Sequence, residues 1–197
     1  MIPAGITQRE QSRRPLALVC LLLVSAEAGF ALPAAAGDGT FDELRFGATT
    51  SIADGDLHED GVFPTATLFF DPFDRATATG WQDALARPRV HVGGEIGTGS
   101  GANLAYAGLN WTVDVNPKLF LDAGFGGLVH DGKLDGSRED GPRLGCRLLF
   151  HEYAAVGYRL DEKWSLVGQV EHASHAKLCD GPNGGFTRAG LMLGYRF

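Results

Sequence analysis

The last strand-like stretch of the chain constrains its fold more than any other. Ala189, Leu191, Leu193, Tyr195 and Phe197 fall on one parity, and Gly190, Met192, Gly194 and Arg196 on the other. Side chains along a strand alternate between its two faces, so this period of two gives one apolar face and one small or charged face. An apolar set turned to lipid and a small or polar set turned to a lumen is the pattern of a membrane-spanning barrel strand. Beyond the N-terminal region no apolar run is long enough for a transmembrane helix, so membrane insertion of such a chain requires a closed barrel. A mean hydropathy close to zero fits, because alternating strands average to a soluble-looking value. A soluble sandwich or lipocalin-like barrel could also end in such a strand.

Eight segments have strand character: roughly 42–52, 62–71, 88–97, 104–113, 118–129, 147–160, 163–175 and 186–197. Asn116-Pro117 and Asp161-Glu162 mark short turns, while Asp54-Gly55-Asp56 and the stretch from Asp131 to Pro142 read as longer loops. Alternating short and long connections, with strands of this length, predict an all-β fold: an eight-stranded antiparallel transmembrane β-barrel. The glycine-rich run Gly97-Thr98-Gly99-Ser100-Gly101 lacks a following Gly-Lys-Ser/Thr and opens no helix, so it reads as a tight connection rather than a phosphate cradle. A terminal Phe with an aromatic residue two positions earlier resembles the C-terminal assembly signal of bacterial outer-membrane barrels.

At the N-terminus, Arg9, Arg13 and Arg14 precede the apolar run Pro15–Val24, and Ala34-Ala35-Ala36 follows. A basic region, a short apolar core and a small-residue end describe a secretory signal over residues 1–36, cleaved near Ala36/Gly37. Cys20 makes a poor lipoprotein cysteine because bulky Val19 precedes it. Residues 37–197 are then the barrel, one domain of about 160 residues. Removing three basic and two acidic residues from totals of 17 and 24 leaves a net charge of −8, which argues against nucleic acid as a partner. Export to an oxidising compartment allows a disulfide between Cys146 and Cys179, though two buried free thiols suit the sequence equally.

The chemically suggestive stretch is Val170-Glu171-His172-Ala173-Ser174-His175. His172 and Ser174 share a strand face, a spacing that lets an imidazole act as base toward a serine hydroxyl. Their companions on that face are Trp164, Leu166, Gly168 and Val170, so the pair is expected to look out at lipid, where polar groups are costly. A metal reading would draw on His172, His175, Cys179 and Asp180, but the two histidines point to opposite faces of a strand. His58, His91, His130 and His151 are scattered and read as loop or lumen residues.

His172-Ala173-Ser174, Pro182-Asn183-Gly184-Gly185 and Gly190–Phe197 resemble the C-terminal third of the lipid A 3-O-deacylases, outer-membrane acyl hydrolases built as eight-stranded barrels. The resemblance is strong over residues 148–197. It implies Ser174 as nucleophile, His172 as base, no cofactor, and the ester-linked 3-hydroxyacyl chain at position 3 of lipid A as substrate. Lipopolysaccharide and outer-membrane lipid would be the partners, with a homodimer left open. The chain departs from the family twice. His175 stands where an Asn oxyanion donor usually follows the serine, on a parity that turns it away from Ser174. Thr187 stands where the better-characterised members carry the Glu that orients the histidine, and it could accept a hydrogen bond from His172. Glu152 is the alternative acid: if the turn between the sixth and seventh strands holds Asp161, Glu162 and Lys163, Leu160 pairs with Trp164 and Glu152 falls opposite His172. A two-residue turn would move it away. Two competing readings are a barrel of the same descent that has lost catalysis, and an unrelated structural or solute-passing barrel. An eight-stranded barrel fills its interior with side chains, which disfavours a wide pore.

Overall fold

The computed structural model describes residues 41–75, 79–99, 101–136 and 141–197. The chain divides into Met1–Ala34 and Ala35–Phe197, and the described residues all belong to the second unit. The expected secretory signal lies outside them.

Eight antiparallel strands follow one another around a closed barrel. They are β1 (Phe41–Ser51), β2 (Phe63–Phe70), β3 (Arg89–Glu95), β4 (Leu104–Asp114), β5 (Leu119–His130), β6 (Leu148–Arg159), β7 (Trp164–Ser174) and β8 (Phe186–Arg196). Closure comes from β8 pairing with β1, where Leu193 faces Phe46 and Tyr195 faces Leu44. The alternating C-terminal stretch is thus the strand that seals the barrel and leaves no open edge.

Two turns are set by single side chains. Asn116 Oδ1 accepts from the N–H groups of Lys118 and Leu119, both at 2.9 Å, and Asp161 Oδ1 accepts from those of Lys163 and Trp164, both at 2.8 Å. These Asx-type bonds stand in for a backbone turn. The second closes a loop of Asp161, Glu162 and Lys163, with Leu160 N–H bonded to Trp164 O at 2.9 Å. Register through β6 and β7 follows from it, and Glu152 lies opposite His172 as a three-residue turn requires.

The start of β1, the end of β8 and the turns β4–β5 and β6–β7 occupy one end of the barrel, and the loops β1–β2, β3–β4, β5–β6 and β7–β8 the other. The expected alternation of short and long connections fails at one place. Residues 71–88, joining β2 to β3 at the short-turn end, carry a helix, α1 (Trp81–Ala86). It is held there because Trp111 Nε1–H donates to Leu85 O at 2.9 Å.

Inside, side chains fill the lumen. Arg45 bonds Glu43 at 2.7 Å and Asp122 at 2.5 Å, and Arg89 joins Glu43 at 2.8 Å. Gly124 and Gly157 face inward, and a Cβ at either would run into the rings of Tyr153 and Phe120 respectively, so these glycines make room for the aromatic packing. Nearer the loop end, Arg188 is fully buried between Glu59 and Glu95 and lies 3.5 Å over the ring of Phe63. The outer wall is apolar, and at the short-turn end it carries clustered aromatics, with Trp164, Tyr195 and Phe197 in successive ring contacts. Such girdles sit at membrane interfaces. Cys146 and Cys179 form a disulfide, which ties the β5–β6 loop to the β7–β8 loop and decides between the two expectations for them.

Candidate active site

Strand β7 alternates as its sequence requires: Ser165, Val167, Gln169, Glu171 and Ala173 are buried inward, and Trp164, Leu166, Gly168, Val170, His172 and Ser174 form the outward set. Across the wall, register brings Glu152 of β6, His172 of β7 and Thr187 of β8 into one row. Phe150 stands beside Ser174 in the next row toward the loops. Thr187, His172 and Ser174, brought from two strands, therefore sit together on the outer wall near its loop end.

The hydrogen bonding within this group is specific. His172 Nδ1 lies 2.9 Å from Thr187 Oγ1. With the proton on Nδ1, the ring donates to the threonine oxygen and leaves the Nε2 lone pair available on the other side. Glu152 is half-buried on the opposite flank of the histidine, and among the described residues no hydrogen bond links the two. Of the two residues expected to orient His172, Thr187 makes the contact and Glu152 is a neighbour in register.

His175 is placed elsewhere. It is buried just past the end of β7; its Nε2 lies 3.1 Å from Pro182 O, and its backbone N–H donates to Asn183 Oδ1 at 3.0 Å. Cys179 N–H donates weakly to its Nδ1 at 3.4 Å. With both ring nitrogens engaged in the β7–β8 loop, the side chain is not aimed at Ser174, and the expected oxyanion role is not supported by its position. His172 is bonded to Thr187 and His175 to the β7–β8 loop, and among the described residues no group of metal-ligand side chains joins them.

Two features of the site were not read from the sequence. Gly185 adopts φ +64°, and a Cβ there would stand 3.4 Å from both His172 Cε1 and Ser174 Cβ and 2.6 Å from Ala173 O. Glycine thus supplies a left-handed turn and keeps one flank of the pair open. Below the row of His172 lies an apolar groove of about 560 Å³, bordered by Leu121, Ala154, Val156, Gly168, Val170 and Ala189. Its lining on β7 begins at Val170, one outward position from His172, and reaches Gly168, about 14 Å along the strand from the histidine. Its signal in the sequence is the small residues at outward positions of β6, β7 and β8, which register brings side by side. On the other flank, Phe150 stacks on Phe125 at 5.8 Å between centroids.

Fold and site together define a class: an eight-stranded membrane barrel with a histidine–serine pair on its lipid-facing wall. A model of the family described as lipid A 3-O-deacylase (PagL) matches residues 75–196. The chain belongs to the lipid A 3-O-deacylase family, and it is accordingly an ester hydrolase. Among solved structures it is similar to a crystal structure of the outer membrane enzyme PagL, with a TM-score of 0.58 and 20% identity, over 80% of this chain and 99% of that one. It is similar as well to a de novo designed transmembrane β-barrel, with a TM-score of 0.50 and 12% identity, over 81% of this chain and 96% of that one. At these identities the structural likenesses bear on the fold. No curated protein matches the chain.

Proposed function

We propose that this protein removes the ester-linked 3-hydroxyacyl chain at position 3 of lipid A, in the outer membrane, with Ser174 as nucleophile and His172 as base. The observation that carries this reading is the Nδ1 contact of His172 with Thr187, which orients the ring on the lipid-facing row beside Ser174. Family membership supplies the reaction class. The wall position supports a substrate that is itself a membrane lipid. A polar row facing hydrocarbon is costly unless something uses it.

In the first step Ser174 Oγ attacks the ester carbonyl carbon while its proton passes to His172 Nε2. The tetrahedral intermediate collapses, the bond from carbonyl carbon to the sugar oxygen breaks, and His172 returns the proton to that oxygen. An acyl-Ser174 remains. Water then attacks the acyl carbon and gives its proton to His172, and Ser174 recovers a proton as the 3-hydroxy fatty acid leaves. Thr187 holds the imidazole in the tautomer that both steps need, without the charge of a carboxylate. The groove beneath the pair receives the acyl chain, and the open flank at Gly185 admits the sugar-linked end. No cofactor enters these steps. The basic and apolar N-terminal region, residues 1–36, would direct export through the periplasm.

The test is the mass spectrum of lipid A from cells that make a hexa-acylated form and express the full chain. Loss of one 3-hydroxyacyl mass, absent with Ser174→Ala, is the expected result. An unchanged spectrum from a folded, heat-modifiable barrel would return the protein to a structural or catalytically silent role.

A further inference from the structure

The connection 71–88 lies at the end of the barrel away from Ser174. Its helix α1 buries no residue: Trp81 is 72% exposed and Leu85 53%. Yet α1 is not loosely held. Arg87 Nε donates to Asp83 at 2.8 Å and its Nη1 to Phe73 O at 3.1 Å, and Asp83 also accepts from Thr79 N–H. These contacts brace the helix within its own connection, and the bond from Trp111 to Leu85 O ties it to the wall. Between α1 and β4 lies a cleft of about 460 Å³, floored by Trp81, Ala84, Leu85, Trp111 and Val113, with Arg75 at its rim. Nearby carboxylates are already engaged: Asp114 with Arg159 at 2.6 Å, Asp42 with Arg89 at 2.5 Å, and Asp71 with the backbone N–H of Arg75. Among the described residues the Arg75 guanidinium makes no ion pair at contact distance; it borders both this cleft and the mouth of the lumen, where Arg89 lies near it and Asp114, Asp122 and Asp42 act on it from longer range.

We propose that this cleft seats one anionic glycerophospholipid of the surrounding leaflet, an acyl chain lying against Trp81, Leu85, Trp111 and Val113 and the phosphate meeting Arg75. The cleft continues the lipid-facing wall, since Trp111 and Val113 belong to the outward set of β4. It also sits at the end where the aromatic girdle marks the interface. Its occupant therefore meets hydrocarbon on one side and headgroup region on the other, a place that suits an amphiphile and the two indoles. The site serves the leaflet opposite the one Ser174 reaches, so its lipid is not the substrate.

Trp81, Trp111 and Trp164 are the three tryptophans of the chain, so Trp164→Phe leaves the cleft pair as the only indoles. This variant, in phosphatidylcholine vesicles with a small fraction of phosphatidylglycerol brominated on its acyl chains, reads the site by fluorescence quenching. Quenching well above random mixing is expected, reversed by unbrominated phosphatidylglycerol and reduced to the random level by Arg75→Gln, with deacylation unchanged. Leu85→Gln, at an exposed helical position, should reduce it as well and serves if Arg75→Gln does not fold. Random-level quenching in the protein with Arg75 intact overturns the proposal. Exclusion of the brominated lipid accompanied by dimer mobility overturns it too, and assigns the cleft to a second copy.

Discussion

Thr187 and Arg188 are adjacent in the chain and occupy opposite worlds. Arg188 points inward and is fully buried, and it bonds Glu59 through two nitrogens, Glu95 at 2.6 Å and Ala102 O at 3.1 Å. Thr187 points outward and contacts Nδ1 of His172, a residue that shares its strand face with Ser174. The same split separates His172 from Glu171 on β7 and Glu152 from His151 on β6. Both sides of the wall carry polar groups, but the inner ones are gathered into ion-pair clusters around Arg45, Arg89 and Arg188, whereas the outer row holds one neutral contact, His172 with Thr187. On the proposed function, the polarity inside the barrel serves the fold and the polarity on the hydrocarbon face serves chemistry.

The largest expected effect breaks the outer row. Ser174→Ala and His172→Asn should each lower deacylation at least about a thousandfold, and the double variant should fall little further, because the two act as a unit. Initial rates on lipid A in mixed micelles, with folding read from heat-modifiable mobility, provide the check. The inner cluster should answer in the opposite currency. Arg188→Met leaves Glu59 and Glu95 buried beside no cation, and should lose about 3–5 kcal/mol of unfolding free energy in a denaturant titration. If Arg188→Met left stability untouched while abolishing activity, the division of labour between the two faces would be wrong.

Smaller changes sharpen the comparison. Gly168→Phe places a ring at the far end of the groove, where the backbone has room for a Cβ, which would meet only Leu191 at an ordinary 3.7 Å. It should slow release of long acyl chains about tenfold relative to short ones, measured by competition between two chain lengths. Thr187→Val removes the acceptor for His172 Nδ1 and should cost about tenfold in kcat, while Thr187→Glu should raise kcat above the parent by stabilising the imidazolium. Glu152→Gln should change the rate by no more than about twofold, because its carboxylate is not the group that His172 contacts. A larger loss with Glu152→Gln than with Thr187→Val would reverse their roles.

Much of this was legible in the sequence because strands obey parity. The period of two in residues 189–197 assigns the outward face of β8, and the same counting places His172 and Ser174 together on β7. The pairing of Glu152 with His172 was one of two registers open to the sequence, and the three-residue turn capped by Asp161 selects it. What could not be read depends on contacts between distant segments. Arg188 and Glu59 lie 129 residues apart and meet only when the barrel closes. His175 falls just beyond the last residue of β7, where strand parity no longer governs direction and Pro182 and Asn183 take over. The orienting residue was ambiguous because β6 and β8 both flank His172, and only the side-chain direction of the imidazole selects Thr187. The helix in 71–88 escaped notice because six residues with Gly80 before them carry little periodic signal, and its hold on the wall comes from Trp111 on another strand.

The central claim is that Ser174, on the outside of the barrel, is a nucleophile activated by His172. Its most direct test is labelling of the folded protein in lipid vesicles with an alkyl fluorophosphonate, followed by mass spectrometry of the peptides. One adduct on the Ser174 peptide, lost in His172→Asn and slowed in Thr187→Val, is the predicted result. Lipid A deacylation that survives in Ser174→Ala, or an adduct that forms only on another residue, would contradict it.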